Sequence, residues 1–315
     1  MSTISSSAGI LQTDQHKLLP AAVSRLGRVA VYVPVVKPRI ISLVVFTAVV
    51  TCLLAARGRP AVETLLILTV SGTLSAGGAA ALNHYVDRDI DPRMKRTRRR
   101  PLPMGQIRRP GLVLLAGVTF ILVGLALAMT VNLALAFWEL TGAFVYVVVY
   151  TVWLKRRTPA NIVIGGFAGS AAVLGGWAAV DPWLGIVPWL LAALVFFWTP
   201  AHFWSLAIAR RDDYKRVHVP MLPVSLTPSQ AAWCVLIHVV ATLATSAWAG
   251  FAAHLGLVYL AIAASAGVVF LRAGISLVRQ PGQATGWRAF KLSGPYLGLI
   301  FVGILFDIVW SVIRT

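Results

Sequence analysis

Long apolar stretches alternate with short polar ones along most of the chain. Nine stretches contain about 20 predominantly apolar residues, the length at which an α-helix crosses a hydrocarbon core of ~30 Å. The predicted spans lie near residues 38–57, 61–83, 110–130, 132–154, 160–180, 184–208, 229–250, 253–276 and 292–313. The pattern predicts an all-α polytopic membrane protein, with a polar N-terminal segment at residues 1–36 and one nine-helix domain at residues 37–315.

The composition agrees with this class of protein. Charged residues make up 12% of the 315-residue chain and hydrophobic residues 58%. Soluble domains contain about 25% charged residues, so the composition excludes an ordinary soluble protein. Gly and Ala recur within the spans, where small side chains let helix backbones approach closely. We therefore expect helix-packing faces at Gly72, Gly77, Gly78, Gly165, Gly166, Gly169, Gly175 and Gly176.

The net charge of +18 is distributed unevenly. Apart from Arg57, Arg59 and Arg314, the Lys and Arg residues lie in or beside the N-terminal segment and the loops after the second, fourth, sixth and eighth spans. This alternation follows the positive-inside rule and predicts a cytoplasmic N-terminus and a C-terminus outside. The high Ala, Val, Arg and Gly content is typical of bacterial chains, which predicts the cell inner membrane. Nucleic acid is not expected as a partner, because no single soluble face collects the charge.

Three polar residues are spaced four apart where the second predicted span ends. On a helix, Asn83, Asp87 and Asp91 would form one stripe with roughly 6 Å of axial rise between neighbours. Carboxylates so close repel one another unless a cation lies between them, and Mg²⁺ is usually held by carboxylates together with substrate phosphates. The stripe predicts a metal-diphosphate site, with a charge-balanced loop as the alternative. Pro92 predicts that the helix ends near Asp91.

Asp89 lies on a different side of the same predicted helix. We expect it to pair with Arg88, Arg93 or solvent rather than to bind metal.

A second acidic pair, Asp212 and Asp213, follows the sixth span on the same predicted face of the membrane. Two carboxylate sets that face each other could hold two Mg²⁺ ions around one diphosphate. A solvated loop, in which these acids pair with neighbouring bases, is the alternative.

Basic residues near both acidic clusters are candidate partners for a diphosphate. Guanidinium and ammonium groups bind phosphate oxygens through charge-assisted hydrogen bonds. The candidates are Arg98, Lys155, Arg156 and Lys215. Topogenic charge is the simpler explanation for many bases in these loops.

With both acidic regions considered, the chain resembles the UbiA superfamily of intramembrane prenyltransferases, and within it the branch that prenylates haem. The Asn-x-x-x-Asp-x-x-x-Asp pattern alone indicates the superfamily. The more specific stretches are residues 36–40, 94–103, 150–158, 161–166, 200–203 and 213–223. Ala209 stands where the second motif of the superfamily usually has an aspartate.

The resemblance implies a nine-helix UbiA-type bundle that transfers farnesyl from farnesyl diphosphate to a vinyl group of haem b, with water added, to give haem O and diphosphate. It implies Mg²⁺ as the cofactor. The implied catalytic residues are Asp87, Asp91, Asp213 and Lys155, and the implied metal ligands are Asn83, Asp87, Asp91, Asp212 and Asp213.

Aromatic and histidine side chains complete the expected site. Tyr150, Trp153 and Trp198 are candidate walls around an allylic cation, which aromatic faces stabilise. His202 is the candidate haem contact and axial ligand, with a helix-bridging histidine as the alternative.

Two other functions are compatible with the sequence. One is UbiA-type prenylation of an aromatic quinone precursor. The other is transport of a phosphorylated lipid or anion, although the acids lie at one surface and the sequence has no evident internal repeat. Membrane lipids and a downstream haem-modifying membrane enzyme are the candidate partners.

Overall fold

Residues 30–314 are described by a computed structural model, and within them nine helices are long and apolar enough to cross a membrane. The prediction of an all-α nine-span protein is confirmed. Spans 1 to 9 are Pro38–Ala55, Val62–Asp89, Pro110–Val131, Leu133–Leu154, Asn161–Ala178, Ile186–Ala209, Pro228–Ala252, Leu257–Arg279 and Gln283–Arg314. Most of the predicted N-terminal segment at residues 1–36, and Thr315, lie outside the described residues.

Span 9 is longer than its apolar pattern predicted. Its helix begins at Gln283 rather than near residue 292, directly after the helix-breaking pair Pro281 and Gly282, and it contains 32 residues. A bilayer needs only about 20 residues. The first turns of span 9 therefore extend beyond the apolar core.

Small residues let neighbouring spans pack closely, as predicted for Gly78 and Gly176. A Cβ on Gly78 in span 2 would overlap the carbonyl oxygen of Gly117 in span 3. A Cβ on Gly176 in span 5 would overlap the carbonyl oxygen of Ala48 in span 1. Spans 6 to 9 enclose most of the largest apolar cluster, whose fully buried rings include that of Phe270.

Three departures from regular α-helix lie near one end of the bundle. The α-helix of span 2 ends at Val86, and 3₁₀ turns follow at Asp87–Asp89 and Asp91–Arg93. Span 4 changes from α-helix to π-helix over Val145–Leu154. Span 5 is interrupted between Gly165 and Phe167.

The end of span 2 corrects one prediction. The helix does not continue to Asp91, so Asn83, Asp87 and Asp91 are not one continuous helical stripe. The spacing of Asn83 and Asp87 does survive, because the backbone N–H of Asp87 still bonds to the carbonyl of Asn83. Pro92 has no N–H to donate and disfavours helical geometry at Asp91, which prevents the helix from continuing through Asp91.

Candidate functional site

Two buried carboxylates lie at the end of span 2, and each is paired with a base. Asp87 accepts a hydrogen bond from the amide nitrogen of Asn83 at 2.9 Å and another from the ammonium of Lys155. Asp91 accepts from the guanidinium of Arg100 at 2.8 Å. Asp87 is 1% exposed and Asp91 is 2% exposed, so both charges are balanced mainly by these partners rather than by water.

Lys37, the residue directly before span 1, also belongs to this cluster. Its ammonium donates to the amide oxygen of Asn83 at 2.5 Å and to the hydroxyl of Tyr146 at 2.9 Å. Its φ of 53° lies in the left-handed region, which is uncommon for a residue with a side chain. One lysine therefore connects the start of span 1 with spans 2 and 4.

The π-helix of span 4 supplies the remaining polar groups. The hydroxyl of Thr151 donates to the carbonyl of Tyr146 at 2.7 Å and accepts from the amide nitrogen of Asn83 at 3.0 Å. The N–H of Lys155 bonds to the carbonyl of Tyr150, five residues back, at 2.8 Å. The wider turns thus bring Tyr146, Thr151 and Lys155 to the side that faces span 2.

The cluster has an excess of formal positive charge. Lys37, Lys155 and Arg100 face the carboxylates of Asp87 and Asp91. Desolvation lowers the pKa of Lys37 well below its usual range, Arg100 and Lys155 lower it further, and the two carboxylates oppose the shift. Desolvation also lowers the pKa of Lys155, against the attraction of Asp87. An anion bound nearby would favour the charged form of both lysines.

The second acidic pair is divided between two environments. Asp213 is buried, and its carboxylate accepts from the backbone N–H of Lys95 at 3.4 Å and lies 3.5 Å from the guanidinium of Arg216. Asp212 is exposed. Both belong to the helix Arg211–Arg216, where adjacent residues point about 100° apart. The structure therefore joins the two acidic loops through Asp213 and not through Asp212.

The four predicted diphosphate partners lie in different environments. Lys155 lies in the cluster, whereas Arg98 and Lys215 are exposed. Arg156 forms a bidentate pair with Asp89, both distances being 2.7 Å. This corrects the expected partners of Asp89. Arg88 instead lies over the ring of Tyr85, with 4.1 Å between its guanidinium carbon and the ring centroid.

Four cluster residues were missed as site residues by the sequence reasoning: Lys37, Arg100, Tyr146 and Thr151. Lys37 carried a usable signal, since it is the base next to Pro38 at the start of an apolar span. Arg100 was one of several equivalent bases after Asp91. Tyr146 had no signal, and Thr151 had none beyond its place in the stretch 150–158, because both lie in an apolar span whose π-helical geometry the composition does not indicate.

The residues at the end of span 2 fit a divalent cation in their chemistry. Oδ1 of Asp87 is buried and has no hydrogen-bond partner among the described residues. A carboxylate oxygen of this kind is a hard ligand suited to Mg²⁺. Asn83, however, turns its amide nitrogen toward Asp87. Across residues 30–314 there is no group of three or more His, Cys, Asp or Glu side chains that could hold a metal ion by itself.

His202 in span 6 lies at a second polar position, against Ser293 in span 9. Its Nδ1 is 2.6 Å from the hydroxyl oxygen of Ser293, and that hydroxyl donates its one hydrogen to the carbonyl of Phe290 at 2.7 Å. With the hydrogen of Ser293 used in this way, the tautomer that carries its hydrogen on Nδ1 completes both hydrogen bonds. This tautomer leaves the lone pair on Nε2, which has no hydrogen-bond partner among residues 30–314.

The predicted aromatic walls lie in three different settings. Trp198 is 9% exposed, and its indole N–H donates to the carbonyl of Ser293 at 2.7 Å. Tyr150 stacks on Tyr146, with ring centroids 6.0 Å apart. Trp153 is 54% exposed on the outside of span 4.

Comparison with known proteins agrees with this architecture. A sequence model described as the UbiA prenyltransferase family matches residues 44–300. The chain belongs to the UbiA prenyltransferase family.

Two similar curated relatives of this UbiA-family chain share one name. Protoheme IX farnesyltransferase 1 of Cenarchaeum symbiosum is 42% identical over 277 residues, which cover 86% of this chain and 93% of that protein. Protoheme IX farnesyltransferase of Alkalilimnicola ehrlichii is 44% identical over 282 residues, with 88% and 91% covered.

Two solved structures have the same fold. Digeranylgeranylglyceryl phosphate synthase gives a TM-score of 0.74 at 16% identity, covering 90% of this UbiA-family chain and 99% of that one. A UbiA homolog from Archaeoglobus fulgidus, bound to GPP and Mg²⁺, gives a TM-score of 0.61 at 16% identity, with 87% and 99% covered. The expected UbiA-type bundle is confirmed.

Proposed function

We propose that this UbiA-family protein transfers the farnesyl group of farnesyl diphosphate to a vinyl group of haem b, giving haem O and diphosphate. The observation that carries the proposal is identity of 42% and 44% to protoheme IX farnesyltransferases over nearly the whole chain. In this reaction the C1–O bond of the donor breaks and diphosphate leaves with the electron pair. C1 then bonds to the terminal vinyl carbon, and water adds to the adjacent carbon and loses a proton.

The cluster at the end of span 2 would bind the diphosphate. Lys37, Lys155 and Arg100 outnumber the carboxylates of Asp87 and Asp91 by one formal charge. A diphosphate ester carries roughly −3 near neutral pH, so a site with +1 becomes balanced when it also holds a divalent cation. Arg98, Arg156 and Lys215 would act at the surface, where the charges help to attract the substrate.

Asp87 and Asp91 would hold Mg²⁺, joined by Asn83 once its amide oxygen turns toward them. The unpartnered Oδ1 of Asp87 supports this assignment. The bound ion would neutralise charge on the departing diphosphate. The solved UbiA homolog bound to GPP, a prenyl diphosphate, and Mg²⁺ is consistent with the same metal. Asp213 would contribute from the second loop, whereas Asp212 is too exposed to share that position.

The rings of Tyr146 and Tyr150 would shield the allylic cation from water. They stack beside Lys155, whose ammonium lies 6.0 Å from the Tyr150 ring centroid. Aromatic faces attract cations most strongly where water is excluded. Trp198 is a further candidate on the acceptor side. Trp153 does not fit this role, because it faces outward.

His202 would bind the iron of haem b through Nε2. Metal-ligating histidines usually donate their other ring N–H to a fixed acceptor, which sets both the tautomer and the ring orientation. Ser293 is that acceptor here, at 2.6 Å.

The protein would work at the cytoplasmic face of a bacterial inner membrane. The distribution of Lys and Arg supports this orientation, with the C-terminus on the outer side. Its product is an apolar haem that stays in the bilayer, so a haem-modifying enzyme in the same membrane is a reasonable partner.

The test is an acceptor comparison. Purified protein in lipid nanodiscs is incubated with Mg²⁺ and radiolabelled farnesyl diphosphate, together with either haem b or 4-hydroxybenzoate. We expect label in a product that has the mass of haem O and none in the hydroxybenzoate. Label in the hydroxybenzoate alone would replace the proposal by quinone-precursor prenylation, and label in neither product would reject both activities.

A further inference from the structure

A row of aromatic rings runs between spans 6 and 9 and ends at a cation. His202 lies 4.5 Å from Trp198 and 4.5 Å from Phe290 between ring centroids, at interplanar angles of 20° and 37°. Phe290 stacks on Trp287 at 5.3 Å. The guanidinium of Arg210 lies 5.1 Å from the Trp287 ring centroid. We call these four rings the aromatic row.

Arg210 differs from its neighbour in having free donors. The guanidinium of Arg211 donates to the carbonyls of Val224 and Leu226 at 3.3 and 2.8 Å, which fixes the loop after span 6. The side chain of Arg210 makes no hydrogen bond or ion pair within the part of the chain that the structure describes. A guanidinium has five N–H donors in a planar fork. Those of Arg210 are therefore available to a ligand.

The face of span 9 beside the row is open. Phe290, Gly294 and Gly298 are spaced four apart and share one side of the helix. A Cβ built on Gly294 or Gly298 would meet no heavy atom within 4 Å. No side chain of the described residues therefore covers span 9 directly at Gly294 and Gly298, one and two helical turns from Phe290.

We propose that Arg210 binds a propionate carboxylate of haem b while His202 holds its iron. This inference rests on the proposed function and deepens it by naming what recognises the acidic edge of the acceptor. With its iron at Nε2, the porphyrin would lie across the edge of the imidazole ring, while Trp198 and Phe290, at 20° and 37° to the imidazole, pack against that ring and hold its orientation. His202 and Arg210 are eight residues apart on span 6 and its cap, about 12 Å along the axis. A haem propionate and an arginine side chain, added to the radius of the porphyrin, together cover the distance between His202 and Arg210.

Membrane polarity favours the same orientation. Arg210 is the residue at which the helix of span 6 ends, so the carboxylates would lie at the membrane surface and the apolar macrocycle in the bundle. Arg and carboxylate also form bidentate hydrogen bonds of defined geometry. The recognised chemistry is thus a carboxylate at the rim of a flat apolar ring.

The experiment compares haem b with its dimethyl ester, in which both propionates are uncharged. Binding of each ligand is followed by absorbance titration of wild-type protein, Arg210→Ala, Arg210→Lys and Arg279→Ala, all in nanodiscs. Arg279 is an exposed arginine at the end of span 8 and serves as the matched control. Melting temperatures and size-exclusion profiles establish that each variant is folded.

We expect Arg210→Ala to weaken binding of haem b by about 10- to 100-fold, the usual cost of losing a charge-assisted hydrogen bond, and to leave ester binding within about twofold. Arg210→Lys should fall between the two, and Arg279→Ala should match wild type. Equal weakening for both ligands, or for neither, overturns the role of Arg210 while haem farnesylation still stands. If wild-type protein binds neither ligand, the proposed function fails, and this inference fails with it.

Discussion

Replacing Lys37 by methionine should separate the charge of the cluster from its packing. Methionine keeps an unbranched apolar side chain of similar length and removes the ammonium. The lost contacts are the hydrogen bonds to Asn83 at 2.5 Å and to Tyr146 at 2.9 Å. The formal balance of Lys37, Lys155 and Arg100 against Asp87 and Asp91 falls from +1 to zero.

The size of the effect follows from the charge that develops on the leaving diphosphate. A unit positive charge about 6 Å from the departing oxygen contributes about 3 kcal/mol at an effective dielectric constant of about 20. That corresponds to a fall in kcat of about 100-fold, which is within the range for removing one donor from a preorganised anion site. Folding stability should fall by about 1–3 kcal/mol, because the amide oxygen of Asn83 and the hydroxyl of Tyr146 each lose a donor, while the desolvation cost of the ammonium is removed.

The assay is initial-rate formation of haem O from radiolabelled farnesyl diphosphate and haem b, resolved by chromatography, with thermal unfolding measured in parallel. Arg39→Met is the matched control. It removes one positive charge two residues away, and Arg39 is exposed with no side-chain contact to the cluster. Tyr146→Phe removes only the second acceptor of the lysine and should cost less than about tenfold.

Two results would refute the reasoning about Lys37. Activity within about threefold of wild type would mean that the ammonium does not act on the leaving group. An equal loss in Lys37→Met and Arg39→Met would point to general surface charge, which added salt would screen.

Three further predictions concern the metal, the surface ion pair and the packing of the bundle. A chelator should abolish haem O formation, and added Mg²⁺ should restore it. Asp87→Asn should lower kcat by about 100-fold and raise the Mg²⁺ concentration needed for half-maximal rate. An unchanged Mg²⁺ titration in this variant would contradict the metal role of Asp87. Arg156→Ala removes the exposed ion pair with Asp89 and should change the free energy of unfolding, measured by thermal unfolding, by less than about 1 kcal/mol. A loss above about 2 kcal/mol would contradict the small contribution expected of an exposed pair. Gly176→Val should destabilise the fold by about 1–3 kcal/mol, because its Cβ overlaps the backbone of span 1. Gly185→Val is the control, since a Cβ at Gly185 meets no atom within 4 Å, and it should unfold at the wild-type temperature. Equal thermal unfolding midpoints for the two variants would disprove the packing argument.

The spans were predictable because bilayer thickness sets a minimum apolar length, and the sequence shows that length directly. What hydropathy detects is the hydrocarbon layer, not the helix. The first turns of span 9 contain Trp287, Arg288 and Lys291, and their mixed polarity hid a helix that continues to Gln283. The interruption of span 5 at Gly166 had no composition signal either, since Gly is also common in unbroken spans.

Helical periodicity predicted only the local contacts of the candidate site, and Lys155 and Asp213 entered through charge and resemblance. Asn83 and Asp87 were expected on one helical side, and their side chains do meet, at 2.9 Å. Lys37 reaches Asn83 across 46 positions and Lys155 reaches Asp87 across 68. Such contacts depend on which spans pack together, and periodicity along one helix does not contain that information.

The π-helix in span 4 also changes how the side chains of its second half are oriented about the helix axis. An α-helix advances by about 100° per residue, and i→i+5 hydrogen bonding shifts every later side chain from the angle that uninterrupted α-helix would give it. The first half, Leu133–Phe144, packs mainly against span 5 and also contacts span 2. The second half, Val145–Leu154, contacts both spans 2 and 5, and its wider turns bring Thr151 and Lys155 to Asn83 and Asp87. Deleting one residue between them would leave a helix of nearly the same length and hydropathy, yet it would rotate Thr151 and Lys155 away from Asn83 and Asp87.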